Sequence, residues 1–216
     1  MRVACLHTAD SNIAVFDTAR RELGFDRLVL RHVVRADLLD LAEQVGGLTA
    51  AIMVEAVASL CALSADADAV LLTCSTLGPA VAEAPSASAP LLRADDALAR
   101  EAVAGGGLVV ALCAVATTLE STREVFERAA RLTGARIDLR LVPGAWEQFK
   151  AGQRECYLAM VATAADEAFA GGATAVALAQ ASMAGAVRHC RAGRPLASPT
   201  AGLMAAVAAA RASIGN

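Results

Sequence analysis

Short runs of Val, Leu and Ala alternate along the chain with longer segments in which apolar residues recur at helical spacing. The short runs are continuously apolar rather than alternating. That is the pattern of strands covered on both faces, so it predicts βα units around buried parallel sheet. The expected strands are residues 2–7, 28–33, 69–74, 90–94, 108–113, 137–142, 175–180 and 195–198. Helices are expected over about residues 12–23, 47–63, 95–104, 118–133, 154–170 and 200–213.

The pattern also repeats. PLLRADDALAREAVA starts at Pro90 and PLASPTAGLMAAVAA at Pro195, with Leu98 over Leu203 at an offset of 105 residues. At an offset of 106, Ser11 falls on Thr117 and Cys74 on Gln180, both where a predicted strand gives way to a helix. The order of elements therefore predicts a duplicated α/β unit. Ligands of open parallel sheets bind beyond the carboxyl ends of the strands. The turns at 7–12, 74–78, 113–118 and 180–184 are where a site is expected.

Composition narrows the picture. The chain has 216 residues, room for one large domain or two small ones, and is 56% hydrophobic but only 3% aromatic, so its core is built from Ala, Val and Leu. Net charge is −3 and the basic residues are scattered, which excludes the basic stripe of a nucleic-acid binder. The opening MRVACLHTADSN turns polar too soon for a signal peptide. The longest uncharged run, GGATAVALAQASMAGAV, is 17 residues, rich in Gly and Ala and interrupted by Gln180 and Ser182. It reads as a buried strand and turn rather than a membrane span. The six cysteines show no CxxC spacing and no histidines at ligand distance, so the expectation is free thiols in a reducing cytoplasm and no metal.

The candidate chemistry lies in the turns. In TCSTLGP (73–79), Ser75 and Thr76 are helix N-cap types and Pro79 suits a first helical turn. A thiol at a helix N-terminus meets unpaired N–H groups and the positive end of the dipole, which favour the thiolate. The same groups bind a carboxylate. Cys74 is thus the candidate acid/base or nucleophile; the competing reading is a small apolar side chain filling a strand end. In HTADSN (7–12), Asp10, Ser11 or Asn12 caps the following helix or faces a ligand, and His7 is a further candidate at the strand end. AVATTLEST (114–122) reads as a capping box with Thr117 or Thr118 as cap and Glu120 following. AQASMAG places Gln180 and Ser182 at the matching point of the second half. Cys113 ends a strand and is the one rival thiol. Cys5, Cys61, Cys156 and Cys190 read as structural.

With these residues in view, the chain resembles the aspartate/glutamate/hydantoin racemase superfamily. TCST at 73–76 is similar to the family's Cys-Asn-Thr or Cys-Ser-Thr turn. VALAQASM at 176–183 is similar to its second turn, usually Leu-Gly-Cys-Thr. The resemblance implies two pseudo-symmetric parallel-sheet α/β domains with a cleft between them, here expected as residues 1–94 plus 198–216 and residues 95–197. It also implies a site without metal or organic cofactor, in which two cysteines act on opposite faces of a small carboxylate. By position, Cys74 matches the first cysteine, Ser75 and Thr76 the carboxylate-binding residues, and Ser11 and Asn12 the polar turn after the first strand. Thr117 and Thr118 match the turn opening the second domain. The second cysteine is replaced by Gln180, whose amide has no pKa for general acid/base work.

A single thiol supports three reactions: one-sided proton exchange or isomerisation next to a carboxylate, thiolate addition as in the maleate isomerase branch, and protonation after CO2 loss as in the arylmalonate decarboxylase branch. A binding protein that kept the carboxylate cradle and lost the chemistry is the non-catalytic alternative. The expected partner is a small carboxylate, with neither nucleic acid nor membrane, and a homo-oligomer is compatible with the sequence.

Overall fold

The computed structural model describes residues 1–84 and 87–214, so residues 85, 86, 215 and 216 of the expected first domain lie outside it. The chain divides into two compact units, one formed by Met1–Ala94 with the segment from Gly202 onward and the other by Asp95–Ala201.

The first unit runs β1 (Arg2–His7), α1 (Ser11–Glu22), β2 (Val29–Val34), α2 (Ala36–Val45), α3 (Ala50–Ser64), β3 (Ala69–Leu72) and β4 (Leu91–Arg93). The strands form one parallel sheet in the order β2-β1-β3-β4. Ala4, Leu6, Val70 and Leu72 pack against Leu38 and Ala42 of α2 and Ile52, Ala56, Leu60 and Leu63 of α3. Each fully buried leucine there contributes about 2 kcal/mol of transfer free energy.

The region before β3 differs from the sequence expectation, because two helices stand where one was predicted. Residues 36–45 show an apolar stripe, Leu38 and Ala42, that closes against the sheet. Gly46, at φ +76°, ends α2 in a left-handed conformation that a side chain would strain. Thr49 then caps α3, its side chain accepting from the Ile52 N–H.

The second unit runs α4 (Ala94–Val103), β5 (Leu108–Cys113), α5 (Leu119–Ala130), β6 (Arg136–Leu141), α6 (Ala145–Lys150), α7 (Arg154–Ala170), β7 (Ala175–Leu178) and β8 (Leu196–Ala197). Its sheet is parallel in the order β6-β5-β7-β8. One face packs Val110, Leu112, Val176 and Leu178 on Tyr157, Val161 and Ala165 of α7. The other packs Val109, Ala111 and Ala177 on Leu98 and Ala102 of α4 and Val125 and Phe126 of α5. The last helix, α8 (Ser198–Ile214), returns to the first unit. A Cβ added at Gly202 would come 3.1 Å from Ala94 and from Leu71, so glycine permits that close approach.

Each sheet has its first strand in the interior, its second at one edge, then the third and fourth in succession, the duplicated α/β arrangement that the repeat predicted. No helix among the described residues is long and apolar enough to cross a membrane.

Candidate functional site

In the first unit, β3 ends at Leu72, two residues before the predicted strand end. The Thr73 N–H makes a closing bond to the Leu6 carbonyl at 3.0 Å, and the chain then leaves the sheet with Cys74 in the turn. Cys74 is half-buried against the edge of the core under α3. The predicted helix behind it does not form. Residues 75–77 are a turn and Gly78–Val81 a single 3-10 turn, so no α-helix macrodipole acts on the thiol, and Ser75 and Thr76 are not caps. Gly78 and Pro79 begin that turn. The two hydroxyls are half-buried and make no hydrogen bond with other described residues.

An arginine packs nearby. Arg93 ends β4 in register with Leu72, and its guanidinium lies where a Cβ on Gly78 would stand. The Arg93 side chain therefore packs on Gly78, four residues beyond Cys74. Sequence reading missed Arg93, because an arginine ending the short run PLLRA looks like any solvated strand terminus.

The turn after β1 presents Asp10, Ser11 and Asn12 ahead of α1. Asp10 sits at the N-cap position but makes no side-chain cap; instead the N–H groups of Asn12 and Ile13 bond the carbonyls of Ala9 and Asp10, both at 3.1 Å. Asp10 and Ser11 are exposed and Asn12 half-buried.

His7 has no exposed surface and sits in a hydrogen-bonded line. Its Nδ1 is 2.8 Å from Thr73 Oγ1 and its Nε2 is 2.8 Å from His32 Nδ1. Thr73 Oγ1 donates to the Leu6 carbonyl at 3.1 Å. Phe16 packs beside the His7 ring at a centroid distance of 5.2 Å. Burial, reinforced by neighbouring His32, pushes His7 down to about 3, so the ring stays neutral. Cys5, with Sγ close by, is pushed up to about 12, first by burial and then by Asp17, and stays a thiol.

Cys5, His7 and His32 offer ligand atoms all within 4.8 Å of one another. Tetrahedral zinc would hold its two imidazole nitrogens about 3.3 Å apart, with both lone pairs aimed at the ion. At 2.8 Å the ring nitrogens instead face each other as donor and acceptor. The geometry is that of a histidine pair rather than a metal centre.

In the second unit, Gln180 ties two turns together. Its Oε1 accepts from the Ala114 N–H at 2.7 Å, and its Nε2 donates to Thr118 Oγ1 at 2.7 Å. Thr118 in turn donates to the Val115 carbonyl at 2.8 Å. The predicted capping box is not made: neither Thr117, exposed in the 3-10 turn Ala116–Thr118, nor Thr118 caps α5 through its side chain. Thr118 is committed to Gln180 and Val115 instead. Ser182 shares a hydrogen bond of 2.8 Å with the buried Tyr157 hydroxyl. Cys113 is fully buried; burial pushes its thiol up, and hydrogen bonds with Thr122 and Thr118 offset this only in part. It is a poor proton acceptor at neutral pH.

No protein-family model matches the sequence. No curated protein matches it either. Solved structures do. The chain is similar to an aspartate racemase from Picrophilus torridus at a TM-score of 0.73 and 12% identity, covering 97% of this chain and 94% of that one. It is similar to the glutamate racemase RacE1 from Bacillus anthracis at 0.66 and 12%, covering 98% and 82%. It is similar to an allantoin racemase from Pseudomonas fluorescens at 0.59 and 14%, covering 99% and 92%.

Proposed function

We propose that this chain, whose fold is that of the aspartate/glutamate racemase superfamily, is a cofactor-independent enzyme acting at the carbon next to a carboxylate of a small acid, with Cys74 as its acid/base. One observation carries the reading. A half-buried thiol leaves the carboxyl end of an interior strand in a turn with two hydroxyls that bond no other described residue, and an arginine packs on Gly78 just beyond. The carboxyl ends of parallel strands are where such sheets bind ligands.

In the proposed step the Cys74 thiolate takes the α-proton. The C–H bond breaks, an S–H bond forms, and the electron pair moves into the enolate. Ser75 and Thr76 donate to the developing oxyanion, each good donor contributing about 3–4 kcal/mol. Arg93 adds positive charge from the side of Gly78. Ser11 and Asn12, with Asp10 beside them, remain candidates for substrate contact on the first unit, and Thr117 and Ser182 on the second; His7, buried with both ring nitrogens engaged, can act only indirectly. Gln180 and Thr118 act indirectly, by holding the second unit's turns.

A second reading is favoured by one observation. Gln180 has no titratable group and its amide is hydrogen-bonded at both ends, while burial pushes the Cys113 thiol up. A malonate-type decarboxylase needs only one proton donor: CO2 leaves with its C–C bond broken, and the Cys74 S–H delivers its proton to the enolate.

The test is incubation in D2O with amino acids, hydroxy acids, malonates, maleate and hydantoin-type amides, followed by NMR, for the wild type and Cys74→Ser. Deuterium at the α-carbon that depends on Cys74 supports proton transfer. CO2 release that depends on Cys74 supports the decarboxylase. Tight binding of an acid without either product identifies a carboxylate-binding protein and rejects both enzymatic readings.

A further inference from the structure

Four side chains of the first unit stand in a line from solvent to the turn that carries Cys74: Asp17 on α1, His32 on β2, His7 on β1 and Thr73 after β3. Proton positions along the line follow from its partners. The Thr73 hydroxyl donates to the Leu6 carbonyl, so Oγ1 accepts from His7 Nδ1–H. That leaves His7 Nε2 bare, and it accepts from His32 Nδ1–H. His32 Nε2 is then the bare atom. It is buried without a hydrogen-bond partner, 3.6 Å from Asp17 Oδ1, and the Asp17 side chain is 45% exposed. A line satisfied everywhere except at its outer end, where a solvent-facing carboxylate waits, is built to accept a proton there.

We propose that Asp17, His32 and His7 form a proton relay that opens to solvent at Asp17 and delivers at Thr73, the residue next to Cys74. The proposal rests on the reading of Cys74 as an acid/base, because a thiol that exchanges protons with substrate must be reset from solvent. In one passage hydronium at the Asp17 carboxylate gives a proton to His32 Nε2 and leaves as water. The His32 Nδ1–H bond breaks as His7 Nε2–H forms, and the His7 Nδ1–H bond breaks as Thr73 Oγ1 receives that proton. Thr73 releases its original hydroxyl proton, through solvent at the turn, to the Cys74 thiolate, which becomes a thiol. One proton enters at Asp17 and one ends on Cys74; the reverse passage restores the starting tautomers. His7 suits the middle position because its burial resists a resting charge, so it conducts protons without storing them. The other titratable neighbour on β1, Cys5, stays a thiol and does not compete.

His7 and His32 are therefore positioning residues that act through Thr73 and Cys74. The deciding experiment measures solvent exchange of the His7 ring N–H by NMR on nitrogen-15-labelled wild type, His32→Gln and Asp17→Asn. Glutamine keeps a hydrogen-bonding group but cannot pass a proton through a ring. Exchange at least tenfold slower in His32→Gln, and at least threefold slower in Asp17→Asn, with β1 amide exchange unchanged, is the expected result. Equal rates in all three proteins overturn the relay and leave the pair structural. Should His32→Gln fail to fold, Asp17→Asn decides alone, since it changes a half-exposed side chain. In the D2O assay His32→Gln should lower kcat for Cys74-dependent exchange about tenfold with KM unchanged, and added imidazole should restore it. Absence of exchange with every acid would sink the proposed function, while the ring-proton measurement would still decide the relay.

Discussion

Gln180 and Thr118 are joined by a 2.7 Å hydrogen bond from amide to hydroxyl, and the same amide accepts from the Ala114 N–H at 2.7 Å. The side chain at the position of the expected second thiol is thus a clamp between the turns after β5 and β7. Gln180→Ala would leave the buried Ala114 N–H unpaired, a loss of about 1–3 kcal/mol. Gln180→Glu keeps that acceptor but not the donor to Thr118, and is expected to cost less. Urea denaturation of the three proteins checks the order; equal midpoints would show that the clamp adds nothing to stability.

His7 makes stability depend on pH. Its ring is held at about 3 in the folded protein, against 6.5 for an ordinary histidine, so the unfolded chain binds the proton first as pH falls. The contribution is complete above pH 6.5 and is lost between 6.5 and 3, at up to about 1.4 kcal/mol per pH unit. Between pH 7.5 and 5 the wild type is expected to lose roughly 2 kcal/mol through this group, and His7→Gln is expected to lose correspondingly less. Denaturant midpoints at the two pH values settle it, and parallel slopes for both proteins would count against a neutral buried His7.

The thiols should divide by burial. Cys156 is exposed and Cys74 half-buried, whereas Cys5 and Cys113 are fully buried and pushed up. Iodoacetamide at pH 8 followed by peptide mass mapping is expected to label Cys156 and Cys74 in the native protein. Cys5 and Cys113 should react only after denaturation. Native labelling of Cys113 would reopen its case as a second acid/base.

Gly78→Ala tests the arginine. The added methyl occupies the space of the Arg93 guanidinium, the mobile end of a long side chain, so the charge should move while the fold survives. Under the proposed function, KM for the acid is expected to rise severalfold with little change in melting temperature. An unchanged KM would place Arg93 outside the site.

Much of this architecture was legible in the sequence, because continuous apolar runs at regular intervals fit only covered parallel strands, and the 106-residue offset aligned Ser11 with Thr117 and Cys74 with Gln180. Two helices were missed. α2 carries Leu38, Leu41, Ala42 and Val45 at helical spacing but follows β2 after a single residue, and α6 has only six residues. The helix expected behind Cys74 forms only as the single 3-10 turn Gly78–Val81, which Gly78 and Pro79 begin.

What the sequence determined by itself was local: which runs become strands, where turns interrupt them, and that a thiol with two hydroxyls occupies one turn while an amide occupies its counterpart. Partnership was decided by the tertiary structure. His7 meets His32 across 25 positions and Thr73 across 66, Gln180 meets Ala114 and Thr118 across more than 60, and Arg93 reaches Gly78 from the neighbouring strand. Parallel pairing sets these registers through crossovers of many residues, so no short-range pattern in the chain encodes them.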